Sequence, residues 1–371
     1  MKIAILEPFL GGSHEQWAKG LQQHSAHEIK LFGLPGRHWK WRMHGGAVSL
    51  ARQLRRANYQ PDLLLATDML DLGTFLGLNR DLCGHLPVAL YFHENQLAYP
   101  WSPKDADPGL KRDNHYSFIN FTSALAADRL FFNSAYNQES FLDGLGPFLK
   151  AFPDHRESDL ISKLRAKAEV LPLGLDLRRL DVAAARQQVA GPPVVLWNLH
   201  WEFDKNPGFF FETLIELAQE GLDFQLVVLG EGFARQPPIF KRAREVLASR
   251  ILHWGYVESQ AEYAAWLWRS DLLPVTSQQD FFGGSIVEAM YCGVHPLLPQ
   301  RLAYPEHVPK AFAKAIFYSE ANAFKAHLRI LIQSKPSALP VREWVATYDW
   351  QAIAPLYDSS FVKFVQAKTG D

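Results

Sequence analysis

Two carboxylates, Asp280 and Glu288, stand with seven residues between them in the run TSQQDFFGGSIVEAMYCG, residues 276–293. Between them lies a glycine pair. An apolar run precedes the segment and an amphipathic one follows, so a strand hands over to a helix through glycines. The first N–H groups of a helix have no intrahelical partner and carry partial positive charge. Gly283 and Gly284 have no side chains, so an anion can come close to that backbone. With Ser285 and Ile286 they make a candidate phosphate cradle. Glu288 falls one helical turn in, on the side of Ser285. A carboxylate repels phosphate, so its use there is to accept hydrogen bonds from hydroxyls, such as those of a ribose or hexose. Asp280 has the same chemistry on the other side of the cradle. Phosphates in the middle and hydroxyls at both ends describe a nucleotide sugar. A plainer reading stands beside it: Ser285-x-x-Glu288 is also a capping box that serves only the helix start.

A diphosphate needs a cation. The segment WNLHWEFDKNP offers Lys205 just past an apolar run, with His200 five residues earlier. Lys205 reads equally well as a solvated surface lysine. In the first half, EPFLGGSHEQW puts Gly11, Gly12, Ser13 and His14 between a strand-like run and a helical pattern, where they could contact donor phosphate or acceptor. An ordinary turn capped by Ser13 would look the same. YFHENQLAYP ends another apolar run with His93, Glu94 and Asn95, and FFNSAYN does so with Asn133 and Ser134. Polar residues grouped after an apolar strand point to a site more often than to a core. HENQ is not a zinc-protease helix, since no second histidine follows at the required spacing. The acid pair in DAD, 105–107, lies in a proline-rich loop and is not read as a metal site.

Between Glu28 and Asp62 the chain has no acid and seven cations: Lys30, Arg37, Lys40, Arg42, Arg52, Arg55 and Arg56. Trp39 and Trp41 interleave with them, and His38 and His44 flank the tryptophans. Cations with aromatics can hold a phosphate and stack on a base, so the run is a candidate RNA contact. The alternative is a basic solvated face with tryptophans turned to the core.

These residues must be positioned by a regular scaffold. Apolar runs at 2–6, 27–34, 62–67, 88–93 and 129–134 alternate with helical patterns and read as buried parallel strands of a doubly wound α/β domain. The rhythm restarts at 194–200, 224–230, 251–257, 271–276 and 294–299, with helices fitting at 206–220, 237–249, 259–269 and 284–292. The expected organisation is a first Rossmann-like domain over 1–180, a linker over 181–192, a second Rossmann-like domain over 193–345, and a helical tail over 346–371 packing back on the first domain. Facing α/β domains would place a ligand cleft between strand ends.

At 371 residues the chain exceeds one ordinary core. A net charge of −1 advertises neither nucleic acid nor anionic membrane. Two cysteines, Cys83 and Cys292, build no disulfide framework or zinc cluster, and the first residues lack signal-peptide features. No apolar stretch is long enough to span a bilayer, and no amphipathic basic helix suggests a membrane surface. A cytoplasmic protein with no membrane partner is expected.

Asp280-x7-Glu288, with Gly283 and the following EAMYCG, resembles the acid-x7-acid signature of retaining glycosyltransferases of the GT-B fold. The resemblance implies that Asp280 holds the transferred sugar and Glu288 the ribose. It implies a diphosphate contact for Lys205 and for residue 200. This sequence departs by having Asp280 where Glu is usual and His200 where Arg is usual. A neutral imidazole there donates one hydrogen bond and no charge. GGSH, LPGRHWKWRMH, YFHENQLAYP, FNSAYNQESFL, FPDHR and WEFDKNP, in that order, resemble the branch that places mannose on the queuosine of tRNA. That implies GDP-mannose as donor substrate, a cyclopentene hydroxyl in the anticodon of aspartate tRNA as acceptor, and neither metal nor cofactor. Catalytic candidates are Lys205, Asp280, Glu288 and His93. Gly11, Gly12, His200, Gly283, Gly284, Ser285 and Ile286 join them on the donor. Ser13, His14, Arg37, Trp39, Lys40, Trp41, Arg42, Glu94, Asn95, Asn133 and Ser134 are left for the acceptor. With no side chain placed as nucleophile, front-face attack is expected, the leaving phosphate taking the acceptor proton. Open alternatives are another acceptor (glycan, lipid or small metabolite) or a non-catalytic protein that binds nucleotide sugar or RNA.

Overall fold

A computed structural model describes residues 1–103, 105–110, 114–184, 191–230, 237–335 and 338–370. Six strands, β1 (Lys2–Leu10), β2 (Glu28–Pro35), β3 (Leu63–Thr67), β4 (Val88–Phe92), β5 (Arg129–Phe132) and β6 (Ala168–Val170), form one parallel sheet in the order β2-β1-β3-β4-β5-β6. Six more, β7 (Val194–Trp197), β8 (Gln225–Leu229), β9 (Ile251–Gly255), β10 (Leu272–Pro274), β11 (His295–Pro299) and β12 (Phe317–Tyr318), form a second in the order β12-β11-β10-β7-β8-β9. Strands such as LLLAT and VALYF are buried along their whole length, which explains continuous apolar runs in place of alternation. In each sheet the order reverses beside the first strand: between β1 and β3, and between β7 and β10. Loops at the carboxyl ends of strands flanking such a switch point are where open α/β sheets bind ligands.

The chain divides into two compact units, Met1–Leu175 with Trp350–Asp371, and Asp176–Asp349. Residues Arg178–Ala183 form a short 3-10 helix within the second unit. Residues 185–190 of the expected linker lie outside the described residues.

The helix Trp350–Thr369 belongs to the first unit and is seated by aromatics. Trp350 lies so close to Gly20 that a Cβ there would sit 2.0 Å from its ring nitrogen, and a Cβ on Gly174 would meet its ring at 2.5 Å. Tyr357, fully buried, accepts from the Trp17 indole at 3.1 Å and pairs with the Tyr91 hydroxyl at 3.0 Å. Trp17 and Tyr91 in turn pack against His93, with ring centroids 4.7 and 4.9 Å away. The tail thus fixes the wall behind a candidate site residue.

Candidate functional site

The second unit's site forms around its switch point. After β7 the chain reaches Lys205 in a short 3-10 turn, and after β10 it reaches Asp280 and the helix Gly284–Tyr291. Lys205 is not a solvated lysine. Its ammonium lies 3.0 Å from Asp204 and 3.3 Å from Asp280, donates to the Gln279 carbonyl at 2.8 Å, and its side chain is 11% exposed. Burial pulls its pKa down, but the charges of Asp280 and Asp204 outweigh that and hold it above the ordinary lysine value. Asp280 also accepts from the Tyr304 hydroxyl at 2.7 Å. Gly283 has φ +85°, and a Cβ there would crowd the Tyr304 ring at 3.1 Å, so glycine is required on both counts. Ile286 and Val287 already donate to the Gly283 carbonyl, and Ile286 is fully buried. The N–H groups of Gly284 and Ser285 are therefore those at the mouth of the turn. Asn198 ties this helix start to β7 by donating to the Ser285 carbonyl at 2.7 Å.

Glu288 does not close a capping box: the helix starts at Gly283 with no side-chain cap. Its carboxylate instead pairs with Arg179 and accepts from the Tyr263 hydroxyl at 2.8 Å. Arg179 and Tyr263 had no signal in the sequence. His200 is exposed in the loop after β7.

In the first unit, β1, the start of the helix Gly12–His24 and the residues just after β3 and β4 bring together four titratable side chains. Glu7 is fully buried and accepts from the Phe9 amide at 2.9 Å and faces His14 Nδ1 at 3.1 Å. Burial opposes charge on His14, yet Glu7, by charge and hydrogen bond, with help from Asp68 and Glu94, raises its pKa to about 9. The His14 and His93 rings pack against each other at a tilt, with centroids 4.2 Å apart. Burial and the neighbouring His14 charge push His93 well below the usual imidazole range, so it is neutral. Asp68 accepts from the His93 amide at 2.8 Å, and burial raises its pKa well above the ordinary carboxyl value. Glu7, His14 and His93 could also hold a metal ion, their ligand atoms all lying within 4.8 Å of one another. Glu7 and Asp68 were missed in the sequence, although each is a lone acid directly after a mostly apolar run.

Other first-half candidates serve the scaffold. Asn95 is fully buried, donates to the Asn137 side chain at 2.9 Å and accepts from the Ala98 amide at 2.9 Å. Asn133 donates to the His93 carbonyl at 2.8 Å, and Ser134 caps its helix by accepting from the Asn137 amide at 2.9 Å. Of these, Asn133 holds His93 from behind. Glu94 is half-buried and accepts from Gln96 at 2.8 Å. Ser13 is exposed and caps nothing, since the helix Gly12–His24 starts from Gly11 without a side-chain cap. Gly11 is packed backbone to backbone: a Cβ there would lie 3.1 Å from the Gly36 Cα. Gly12 has φ +56° and open space around it.

The basic run is not acid-free in space. Trp39, Lys40, Trp41 and Arg42 form the first turn of the helix Trp39–Ala57. Lys40 is paired with Asp105 at 2.7 Å and with Asp107, among the rings of Trp39, Trp101 and Tyr116. Arg55 is paired with Asp81. The DAD acids therefore neutralise Lys40. This corrects the expectation of a free Lys40 cation. Arg37 is exposed, Arg42 donates to the Pro35 carbonyl at 3.2 Å, and Trp41 is 63% exposed. No helix among the described residues is long and apolar enough to cross a membrane.

Two parallel sheets of this topology, each with its polar cluster at the switch point, define a GT-B glycosyltransferase architecture. Solved structures agree on the fold. Sucrose-phosphate synthase from Thermosynechococcus elongatus superposes with a TM-score of 0.71 at 16% identity, covering 99% of this chain and all of that one. Anabaena HepE in complex with UDP gives 0.66 at 15%, again covering 99% and 100%. The family described as glycosyl transferases group 1 matches residues 192–334, and that described as tRNA-queuosine alpha-mannosyltransferase N-terminal matches residues 2–175. The tRNA-queuosine alpha-mannosyltransferase of Drosophila melanogaster is 34% identical over 336 residues, spanning 88% of this chain and 85% of the fly protein. The chain belongs to the tRNA-queuosine alpha-mannosyltransferase family of glycosyltransferases.

Proposed function

We propose that the protein moves mannose from GDP-mannose to a hydroxyl of the queuosine cyclopentenediol in the anticodon of aspartate tRNA, with retention at the anomeric carbon and without a metal or cofactor. The observation that carries this reading is the match of residues 2–175 to the queuosine-specific N-terminal family. The second unit's likeness is to group 1 transferases in general and by itself leaves the acceptor open.

In this reading the donor lies over the helix start at Gly284. Lys205 and the N–H groups of Gly284 and Ser285 take up the charge that develops on the departing diphosphate. Asp280 orients the hexose, and Glu288, held by Arg179 and Tyr263, receives the ribose hydroxyls on its remaining lone pairs. His93 and its neighbours belong to the acceptor side. The acceptor oxygen forms the new bond to the anomeric carbon on the face from which GDP leaves. The bond to the phosphate oxygen breaks, and that oxygen takes the acceptor proton. The products are mannosylated nucleoside and GDP.

The test is incubation with GDP-mannose and other nucleotide sugars, using tRNA with and without queuosine and nucleoside mass spectrometry as readout. A hexose added to queuosine from GDP-mannose alone is expected. Transfer to queuosine-free tRNA, or from another donor only, would overturn the reading.

A further inference from the structure

In the second unit, the segment after β11 grips the loop that carries Asp280 at four points. Arg301 donates to the Ser277 carbonyl at 3.0 Å, and the Tyr304 hydroxyl donates to Asp280 Oδ2 at 2.7 Å. The Tyr304 ring backs the left-handed turn at Gly283, where a Cβ would lie 3.1 Å from it. His307 Nε2 stands 2.7 Å from the Phe282 carbonyl, and its Nδ1 stands 3.1 Å from the Tyr348 hydroxyl. Burial pushes the His307 pKa down to about 4, so the imidazole is neutral. A neutral ring has one N–H and a carbonyl can only accept, so Nε2 donates to Phe282 and Nδ1 accepts from Tyr348. Tyr304 and His307 are the two ends of one short 3-10 helix, and they are 0% and 2% exposed. Two residues ahead of that helix, Leu302 has φ +60°, a conformation that costs a non-glycine residue and persists only where the surroundings impose it. Neither Tyr304 nor His307 reaches solvent, so whatever they do for a ligand they do through the loop they hold.

Lys205 has three N–H groups, and three oxygens surround them: the Gln279 carbonyl at 2.8 Å, Asp204 at 3.0 Å and Asp280 Oδ1 at 3.3 Å. A diphosphate oxygen must displace one of these, and Asp280 is the most distant. Resting on the donor reading above, we propose that Tyr304 is the positioning residue for the sugar half of the donor: when Lys205 turns to the diphosphate, the Tyr304 hydroxyl keeps Asp280 Oδ2 in place and leaves Oδ1 to accept from a hexose hydroxyl. A tyrosine suits this role. Its ring is wedged against Gly283, so its hydroxyl cannot follow the phosphate as the end of a long ammonium side chain can. His307 does the matching work on the backbone. Its hold on the Phe282 carbonyl fixes the peptide plane that leads into Gly283, and with it the helix start where the diphosphate lies. One short helix thus sets the sugar-orienting acid and the diphosphate turn in register.

The experiment measures binding of GDP and of GDP-mannose to the full-length protein by calorimetry, for wild type, Tyr304→Phe, Asp280→Asn and the double variant, with denaturant unfolding of each alongside. Phenylalanine keeps the ring against Gly283 and removes only the hydroxyl. Tyr304→Phe should weaken GDP-mannose by roughly tenfold, as for loss of a hydrogen bond to a charged group, and GDP by less than about twofold. In the Asp280→Asn background the same change should move neither ligand by more than about twofold, because Tyr304 acts through that carboxylate. The double variant strands no carboxylate, so this second comparison stands even where Tyr304→Phe alone is too unstable to titrate. Equal losses of GDP and GDP-mannose in Tyr304→Phe, no loss of either, or an undiminished effect in the Asp280→Asn background would overturn the assignment. The same preparations are assayed for mannosyl transfer to queuosine tRNA. In Tyr304→Phe the KM for GDP-mannose should rise while the KM for tRNA stays, a split that a general loss of stability does not produce. Selective weakening of GDP-mannose without transfer by wild type would sink the functional reading and leave the positioning role standing; transfer in which Tyr304→Phe keeps the wild-type donor KM and rate would do the reverse.

Discussion

Replacement of Lys205 by Met separates a structural lysine from a donor-binding one, because the residue is built as both. Its ammonium sits between Asp204 and Asp280 at 3.0 and 3.3 Å. Asp204 is 1% exposed and has this ion pair but no aligned hydrogen bond on either oxygen. Removing one partner of a buried pair leaves an uncompensated charge and costs about 3–5 kcal/mol. Asp204→Asn in the same chain removes that stranded charge, so Lys205→Met/Asp204→Asn should recover much of the stability. The donor term is separate. A unit charge about 3 Å from a phosphate oxygen at an effective dielectric constant of about 20 interacts by about 5 kcal/mol. Two carboxylates already share this ammonium, so roughly half survives as binding, a loss of about 30- to 150-fold in GDP affinity. Denaturant unfolding and GDP calorimetry on the wild type, single and double variants read the two terms independently. The reasoning predicts that stability returns in the double variant and GDP affinity does not. If affinity returns together with stability, or never falls, Lys205 supports the loop and does not touch the diphosphate.

Glu288→Gln should weaken GDP binding by about 10- to 100-fold, the worth of a charged hydrogen bond to a ribose hydroxyl, in the same calorimetric assay. Unchanged affinity would assign Glu288 to Arg179 and Tyr263 alone. Chelators should leave mannosyl transfer intact; full loss restored by one divalent ion would place a metal in the Glu7, His14 and His93 cluster. Arg37→Ala/Arg42→Ala should weaken tRNA binding and reduce its log–log salt slope by up to about one unit per lost phosphate contact, with GDP-mannose affinity unchanged. Lys40→Ala, whose charge is already spent on Asp105 and Asp107, should change that slope little. Folding raises His14 from 6.5 to about 9, so its stabilising pair with Glu7 is complete below about pH 6.5 and is lost as pH rises through about 9. The raised pKa of Asp68 works in the same direction, since the folded state keeps a proton that the unfolded chain releases. Unfolding free energy should therefore fall across that window by at most about 3 kcal/mol for the histidine, and His14→Gln should flatten the fall.

The fold was legible because parallel strands covered on both faces leave uninterrupted apolar runs. The ten runs read as strands correspond to strands in the structure, at shifted ends. The two that went unread, Ala168–Val170 and Phe317–Tyr318, are three and two residues long at the edges of their sheets, too short for any period to register. The helix Trp39–Ala57 is hard to read from its start because its first turn contributes no buried residue. Met43, Ala47, Leu50, Ala51 and Leu54 carry the periodicity, and nothing before Met43 repeats it.

The site was legible only in part, and the boundary follows from what spacing can encode. The cradle at Gly283, Gly284 and Ser285 is local: a strand end, a left-handed glycine and a helix start lie within a few residues, so the sequence carries the whole feature. Partners are not local. Lys40 looked like a free cation because the acids that neutralise it, Asp105 and Asp107, come from a loop more than sixty residues away. Glu288 looked like a capping residue because Ser285 is near in sequence, while its real donors, Arg179 and Tyr263, are 109 and 25 residues distant. Asp68 drew no attention because one acid after an apolar strand has no pattern. It gains meaning only when the sheet order sets β3 beside β1 and brings it to His14 and Glu7. Charge balance is thus a property of the assembled strand ends.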